Sequence, residues 1–342
     1  MAQRAWSVRE AGEQDADALD ALFTATMGSS RSRRHQAWRY WRNPAGRAPI
    51  LVAETISGDI IGQYALWPTS FRVNGLHVAG AQSLDTLTHP RFQGQGMFTS
   101  LARACYEVAA AQGIQLLYGF PNPASYPGFI RRLEWTHVGS LPLFSRVLHA
   151  DLVPGTSCLA RGLATLAARA APTAGSSGDL VITAQRPSTS DLETFGRRCP
   201  ATSVIEVDRG GPFYDWRYAP DADRDYRWWS AFRGSQLVGW ATWGTDPIVA
   251  YPRGVLADLQ ADSLLVRSAL VGAALRDARR ERVALMAGVS NCWKDWTAYA
   301  RSGFVPHAKL PLIAKVLAPL EGAVDPLRMR SWRLQGSDLD TF

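Results

Sequence analysis

Two apolar runs, Ile50-Leu51-Val52-Ala53 and Ile60-Ile61-Gly62-Gln63-Tyr64-Ala65, flank Gly58 and predict a β-hairpin. A second pair, Trp228-Trp229-Ser230-Ala231-Phe232 and Leu237-Val238-Gly239-Trp240-Ala241, flanks Gly234 in the same way. Residues 82–88 alternate enough to form a strand. Residues 97–112 carry Leu101, Cys105 and Val108 at helical spacing and predict an amphipathic helix. The Ala- and Leu-rich stretch 158–171 predicts a connecting helix. Pro172-Thr173-Ala174-Gly175-Ser176-Ser177-Gly178 predicts a flexible linker.

The paired hairpins belong to a longer repeat. Trp38-Arg39-Tyr40 returns 178 residues later as Trp216-Arg217-Tyr218, each copy followed by a Pro-containing turn. Further on, Asn122 matches Asn291, Trp135 matches Phe304, and Leu141-Pro142-Leu143 matches Leu310-Pro311-Leu312, all 169 residues apart. Several ordered matches mean duplication, with the second copy about nine residues shorter between its hairpin and Asn291. A length of 342 residues fits two domains of about 150 residues each. The expected division is 1–150, a connecting segment 151–179, and 180–342.

The deletion falls on the most distinctive segment of the first copy, Arg91-Phe92-Gln93-Gly94-Gln95-Gly96, between the strand and the helix. Two glycines let the backbone approach a ligand, and the new helix offers unpaired N–H groups and the positive end of its dipole. That arrangement suits a pyrophosphate. The second copy reads Gln260-Ala261-Asp262-Ser263-Leu264-Leu265, without glycine, and cannot form the same cradle. A dinucleotide fold fits less well, because Thr99 stands at the third glycine position and no acidic residue ends a following strand. A plain strand-to-helix turn is the bland alternative.

Composition narrows the class. The values of 46% hydrophobic and 20% charged residues are globular, and a net charge of +7 with a pI near 9.5 suits an anionic partner. Basic residues are scattered, with only Arg31, Arg33 and Arg34 close together, so no nucleic-acid partner is expected. The N-terminus has no apolar signal core and no long apolar run follows, so a cytoplasmic protein without a membrane partner is expected. Cys105, Cys158, Cys199 and Cys292 are scattered and predict neither a metal site nor a disulfide framework.

The strand, the run from His89 to Gly96, and the helix together resemble the acetyl-CoA motif of the GNAT superfamily of N-acetyltransferases, with Arg91, Gly94 and Gly96 at its fixed positions. Residues 116–122 and 129–135 match the strand and helix that follow, and 298–304 match that helix again in the second copy. The runs 85–90 and 118–129 are similar to tandem bacterial members associated with surface-polysaccharide genes. The resemblance implies an α+β chain of two tandem GNAT-like domains, each a central mixed sheet flanked by helices. It also implies acetyl-CoA as co-substrate, no metal, and a small or sugar-borne primary amine as acceptor. Transfer of another acyl group, an aminoacyl-tRNA-dependent activity, and a CoA-binding sensor or scaffold are the alternatives.

By position, the resemblance implies that Thr86, Leu87 and Thr88 offer main-chain groups to the pantetheine arm and thioester. Gln93, Gly94, Gln95, Gly96, Met97 and Phe98 would hold the pyrophosphate, and Asn122 would touch pantetheine. The tyrosine that protonates the leaving thiolate in many relatives aligns with Ile130, while Tyr299 fills that place in the second copy. Gln82 stands near a position where some relatives carry a base, and an amide cannot serve. Asp85 is therefore the expected base or ammonium anchor, on the expectation that burial raises its pKa. Tyr126, one helical turn before Ile130, is the expected acid. His89, beside Pro90, is not expected to act as a base, and Trp38, Tyr40, Trp41 and Trp216 are expected to anchor cores.

Overall fold

A computed structural model describes residues 6–154, 179–199, 205–222, 224–246, 251–321 and 324–340. The predicted connecting helix and linker, 158–178, lie outside the described residues. In chain order the strands are β1 (Trp6–Glu10), β2 (Ile50–Thr55), β3 (Ile60–Val73), β4 (Leu76–Thr88), β5 (Leu116–Gly119), β6 (Thr136–Val147) and β7 (Leu180–Thr183). They continue as β8 (Ile205–Val207), β9 (Tyr226–Arg233), β10 (Gln236–Asp246), β11 (Arg253–Ala261), β12 (Leu285–Val289) and β13 (Val305–Val316). The helices are α1 (Ala16–Met27), α2 (Arg33–Gln36), α3 (Met97–Ala111), α4 (Tyr126–Arg132), α5 (Thr189–Arg198), α6 (Gly211–Arg217), α7 (Leu264–Arg280) and α8 (Trp293–Arg301).

The chain forms two compact units that are not consecutive in sequence. The first comprises Met1–Gly139, Ser203–Asp208 and Pro311–Ser331; the second comprises Ser140–Thr202, Arg209–Leu310 and Trp332–Phe342.

Within the first unit the sheet runs β1-β2-β3-β4-β5 and ends on the C-terminal part of β13. All neighbours are antiparallel except β4 and β5, which are parallel and joined by α3. The second unit repeats this plan as β7-β9-β10-β11-β12, with β11 and β12 parallel around α7, and ends on β6. Each unit thus contains a mixed, helix-flanked stretch of sheet, as the family resemblance implied.

Packing follows the apolar patterns. On α3, Met97, Leu101, Cys105 and Ala109 are buried against Tyr64, Leu66 and Leu117 of the sheet. Val108, expected on that stripe, is only partly buried because the stripe continues through Ala109. In the second unit α7 buries Val266, Leu270, Ala274 and Ala278 on Trp243, Leu256 and Leu259. Among the described residues no helix is long and apolar enough to cross a membrane.

Candidate active site

The cleft of the first unit begins where a parallel pairing stops. The last β4–β5 pair is Gln82 with Tyr118, yet β4 continues to Thr88. Residues 83–88 therefore present the edge that β5 has left, while their other edge stays paired to β3. Such an edge offers N–H and C=O groups to any extended amide-bearing chain. Thr86, Leu87 and Thr88 all lie on it, with the Leu87 side chain buried, so only its backbone is accessible.

At the end of this strand the chain makes a short turn, Pro90–Phe92, in which His89 Nδ1 accepts the Arg91 N–H at 3.2 Å. His89 thus caps a turn. Gly94 and Gly96 follow with φ of 78° and 77°, the left-handed region that favours glycine. An added Cβ at either glycine would meet nothing within 4 Å, so the constraint is backbone conformation rather than crowding. Gly96 caps α3 without a side-chain hydrogen bond, and the helical bonding begins with Ser100 donating to Gly96. The amides before it point out of the helix end. Arg91, Gln93 and Gln95 are exposed, whereas the Met97 side chain is buried and leaves only its backbone to a ligand. Phe98 packs edge-on against Phe129, 5.2 Å between ring centres, which fixes α3 against α4.

Asp85 does not stand as the sequence suggests. Its side chain is 7% exposed and closed on every side. Arg31 binds it with two bonds of 2.9 Å, Arg39 Nε donates at 2.7 Å, and the Tyr40 hydroxyl donates at 2.6 Å. Burial opposes its charge, but the two guanidiniums outweigh burial and hold the carboxyl well below the usual carboxylate range. A carboxylate so held is a poor base, and the expected upward shift is corrected to a downward one. Burial, aided by the Asp85 charge, pushes the Tyr40 phenol up, so it remains the donor.

Other predicted groups lie around the mouth of the cleft. Asn122 is exposed and its Oδ1 accepts the Ser125 N–H at 2.9 Å, forming the turn that launches α4. Tyr126 opens α4, half-buried, with its ring edge-on to His137 at 5.9 Å. Ile130, one turn later, packs on the core. Sequence reasoning missed Ser83, the first residue beyond the last β4–β5 pair. Its hydroxyl donates to the buried Tyr64 hydroxyl at 2.8 Å, which lies 3.0 Å from that of Tyr106. Its neighbours come from distant segments, so only its place on the strand could have marked it.

A family model described as an acetyltransferase (GNAT) domain matches residues 7–138, the span that holds this edge, loop and helix. Residues 7–138 of this chain are therefore those of a GNAT acetyltransferase domain. No curated protein matches the sequence. Among solved structures, it is similar to a GCN5-related N-acetyltransferase from Anabaena variabilis, at 10% identity, covering 91% of this chain and 73% of that one, with a TM-score of 0.64. It is also similar to N-myristoyltransferase of Saccharomyces cerevisiae with bound myristoyl-CoA, at 10% identity, covering 95% and 86%, with a TM-score of 0.67. The glucosamine N-acetyltransferase region of a fungal multi-domain GH3 β-N-acetylglucosaminidase gives 15% identity, 92% of this chain, 38% of that one, and a TM-score of 0.60. At these identities the likeness is one of fold, and it extends over both GNAT-like halves.

The second GNAT-like unit has a corresponding cleft, and it is filled. Pairing of β11 with β12 ends at Leu256 and Gly288 while β11 continues to Ala261. The segment 332–339 of the same unit lies in the gap. Gln335 bridges to Ser290, and its Oε1 accepts the Leu259 N–H at 3.4 Å. Asn291, the counterpart of Asn122, accepts the Leu334 N–H at 2.8 Å and donates to the Trp332 carbonyl at 2.6 Å. Gly336 lies so close to β11 that an added Cβ would stand 3.0 Å from backbone atoms of Ala257 and Leu256. At the start of α7, Ser263 accepts the Val266 N–H, so this helix end carries its own cap. Tyr299, the candidate donor of this half, is 1% exposed and packed in the core against Phe144 and Phe304.

Proposed function

We propose that the first unit binds acetyl-CoA along the free edge of β4 and transfers the acetyl group to a small or sugar-borne primary amine. The observation that carries this reading is the free edge at 83–88 leading directly into a left-handed Gly94/Gly96 loop and an uncapped helix of 15 residues. The edge suits the two amides of a pantetheine arm, and the loop with its helix end suits a pyrophosphate. Thr86, Leu87 and Thr88 would contribute backbone groups to the arm. Gln93 to Phe98 would contribute them to the phosphates. Asn122, exposed beyond β5, would contribute its amide nitrogen.

The bound co-substrate supplies an activated thioester. Transfer forms a carbon–nitrogen bond, breaks the carbon–sulfur bond, and requires a proton to leave the amine and one to reach the thiolate. Tyr126 is assigned the second proton, because Ile130 has none to give and the Tyr126 ring stands beside the same helix face. Water is assigned the first, since the Asp85 carboxylate is fully engaged. The likeness in fold to the fungal glucosamine N-acetyltransferase region supports an amino sugar as acceptor. The three described free cysteines are in keeping with the cytoplasm, where we place the protein.

Calorimetric titration of the full chain with acetyl-CoA tests the reading. One site per chain is expected, together with release of free CoA when amino sugars are added. Two equal sites, or none, would overturn it. Binding without transfer to any amine would favour the CoA-sensing alternative.

A further inference from the structure

Asp85 is the sole described residue within a strand, glycine excepted, whose φ is clearly in the left-handed region, at 45°. The register shows why. Gln63 pairs with Leu87 and Ala65 pairs with Leu84, so Asp85 and Thr86 together stand opposite Tyr64 alone. This is a β-bulge with Asp85 as the extra, left-handed residue. Strand groups alternate with a period of two, so one extra residue reverses which N–H and C=O groups beyond it face each edge. The bulge therefore decides what Thr86 to Thr88 present to the cleft.

A non-glycine residue in this conformation is strained and persists only where its surroundings over-determine it. Here they come from three places. Arg31, between α1 and α2, grips the carboxylate with both ends of its fork. Arg39 and Tyr40, just after α2, grip it from a second direction. The Tyr40 hydroxyl also accepts the side-chain amide of Gln63, at 2.9 Å, and so spans the bulge from β3 to β4. Arg31 is itself held, 3.6 Å above the Phe23 ring of α1.

We infer that Asp85 is a positioning residue, a clamp that fixes the β4 bulge and thereby the backbone edge that receives acyl-CoA. Through Arg31 the same clamp ties the loop between α1 and α2 to that strand. The inference rests on the cofactor placement proposed above. Its second-half counterpart differs as expected of a half without an open cleft. Asp258, which pairs with Thr242 at the corresponding irregularity, has no left-handed φ and no guanidinium hydrogen-bonded to it among the described residues.

The experiment compares acetyl-CoA affinity and pH–rate profiles of full-length wild type, Asp85→Asn, Asp85→Glu, Arg31→Gln and Asp85→Asn/Arg31→Gln. Asp85→Asn and Arg31→Gln should each weaken acetyl-CoA binding by about tenfold or more, and the double variant should be no worse than the weaker single, as expected for one unit. Asp85→Glu, which keeps the charge with a longer reach, should also weaken it. The inflections of the pH–rate profile should stay in place, and amides 86–88 should exchange faster. A base at Asp85 would instead give wild-type affinity throughout and the loss of the acidic limb in Asp85→Asn; that result overturns the clamp. If Asp85→Asn fails to fold, Arg31→Gln decides: wild-type affinity there also overturns it. Wild type that binds no acetyl-CoA overturns the functional reading, and the exchange rates of 86–88 still judge the clamp.

Discussion

The two clefts of this chain share a plan and differ in what occupies them. In the first unit no strand among the described residues pairs with the β4 edge that β5 leaves beyond Gln82, and Asn122 is exposed. In the second, the edge of β11 beyond Leu256 is taken by the segment 332–339, and Asn291 is spent on its backbone. The buried acids differ in the same sense. Asp85, between Arg31 and Arg39, is held ionised. Asp258, bonded to Gln335 and Tyr218, is pushed up to about 6 by burial, the nearby Arg209 opposing and Asp338 reinforcing the shift. One Tyr–Asp pair thus recurs, Tyr40 with Asp85 and Tyr218 with Asp258, but among the described residues cations hydrogen-bond only to the first carboxylate. A duplicated fold does not carry its chemistry along; the partners arriving from elsewhere in the chain decide it.

The comparison breaks most visibly at the candidate proton donors. Tyr126→Phe should lower turnover with an amine acceptor by about 100-fold, near the bottom of the range for an acid–base group because a thiolate leaves readily. Tyr299→Phe should leave turnover near wild type, because that ring is enclosed in the second core. Steady-state rates decide this, and equal effects would remove the asymmetry.

The filled cleft can be attacked at Gly336. Gly336→Leu would push a side chain into backbone atoms of β11 that cannot swing aside, at a cost of about 2 kcal/mol. Amides of 332–339 should lose protection from hydrogen exchange, and acetyl-CoA stoichiometry should stay at one. A rise to two would mean that the segment alone, and not the missing glycine loop, keeps the second cleft from binding.

The smallest effect is expected at Asp258. Its folded-state pKa of about 6 lies above the ordinary value of 3.8, so the folded chain binds more protons between those limits. This contribution to stability therefore falls as pH rises through that window. Asp258→Asn removes the cost of the ion and should stabilise the full chain by about 1 kcal/mol at pH 8, with the gain vanishing by pH 4. Scanning calorimetry at the two pH values checks it; a gain at pH 4 alone would reverse the sign of the assigned shift.

Much of the fold and part of the site were legible in the residues. The repeated Trp-Arg-Tyr triplets and hairpins marked two halves, and the Gly94/Gly96 pair marked the half that carries the loop, because the left-handed backbone is a property of glycine itself. The absence of glycine between Gln260 and Leu265 marked the other half for the same local reason. Tertiary structure alone decided the rest. Whether Asp85 is a base or a clamp depends on Arg31 and Arg39, which are 54 and 46 residues away in the chain. Sequence patterning reported that the acid lies in an apolar strand, and burial alone would have raised its pKa; the fold brings in two cations and reverses the sign. The segment that fills the second cleft is likewise 76 residues beyond Leu259 in the chain, and no local propensity announces it. Local chemistry fixes what a backbone can do, whereas electrostatics and occupancy are set by distance in space, which only the folded chain defines.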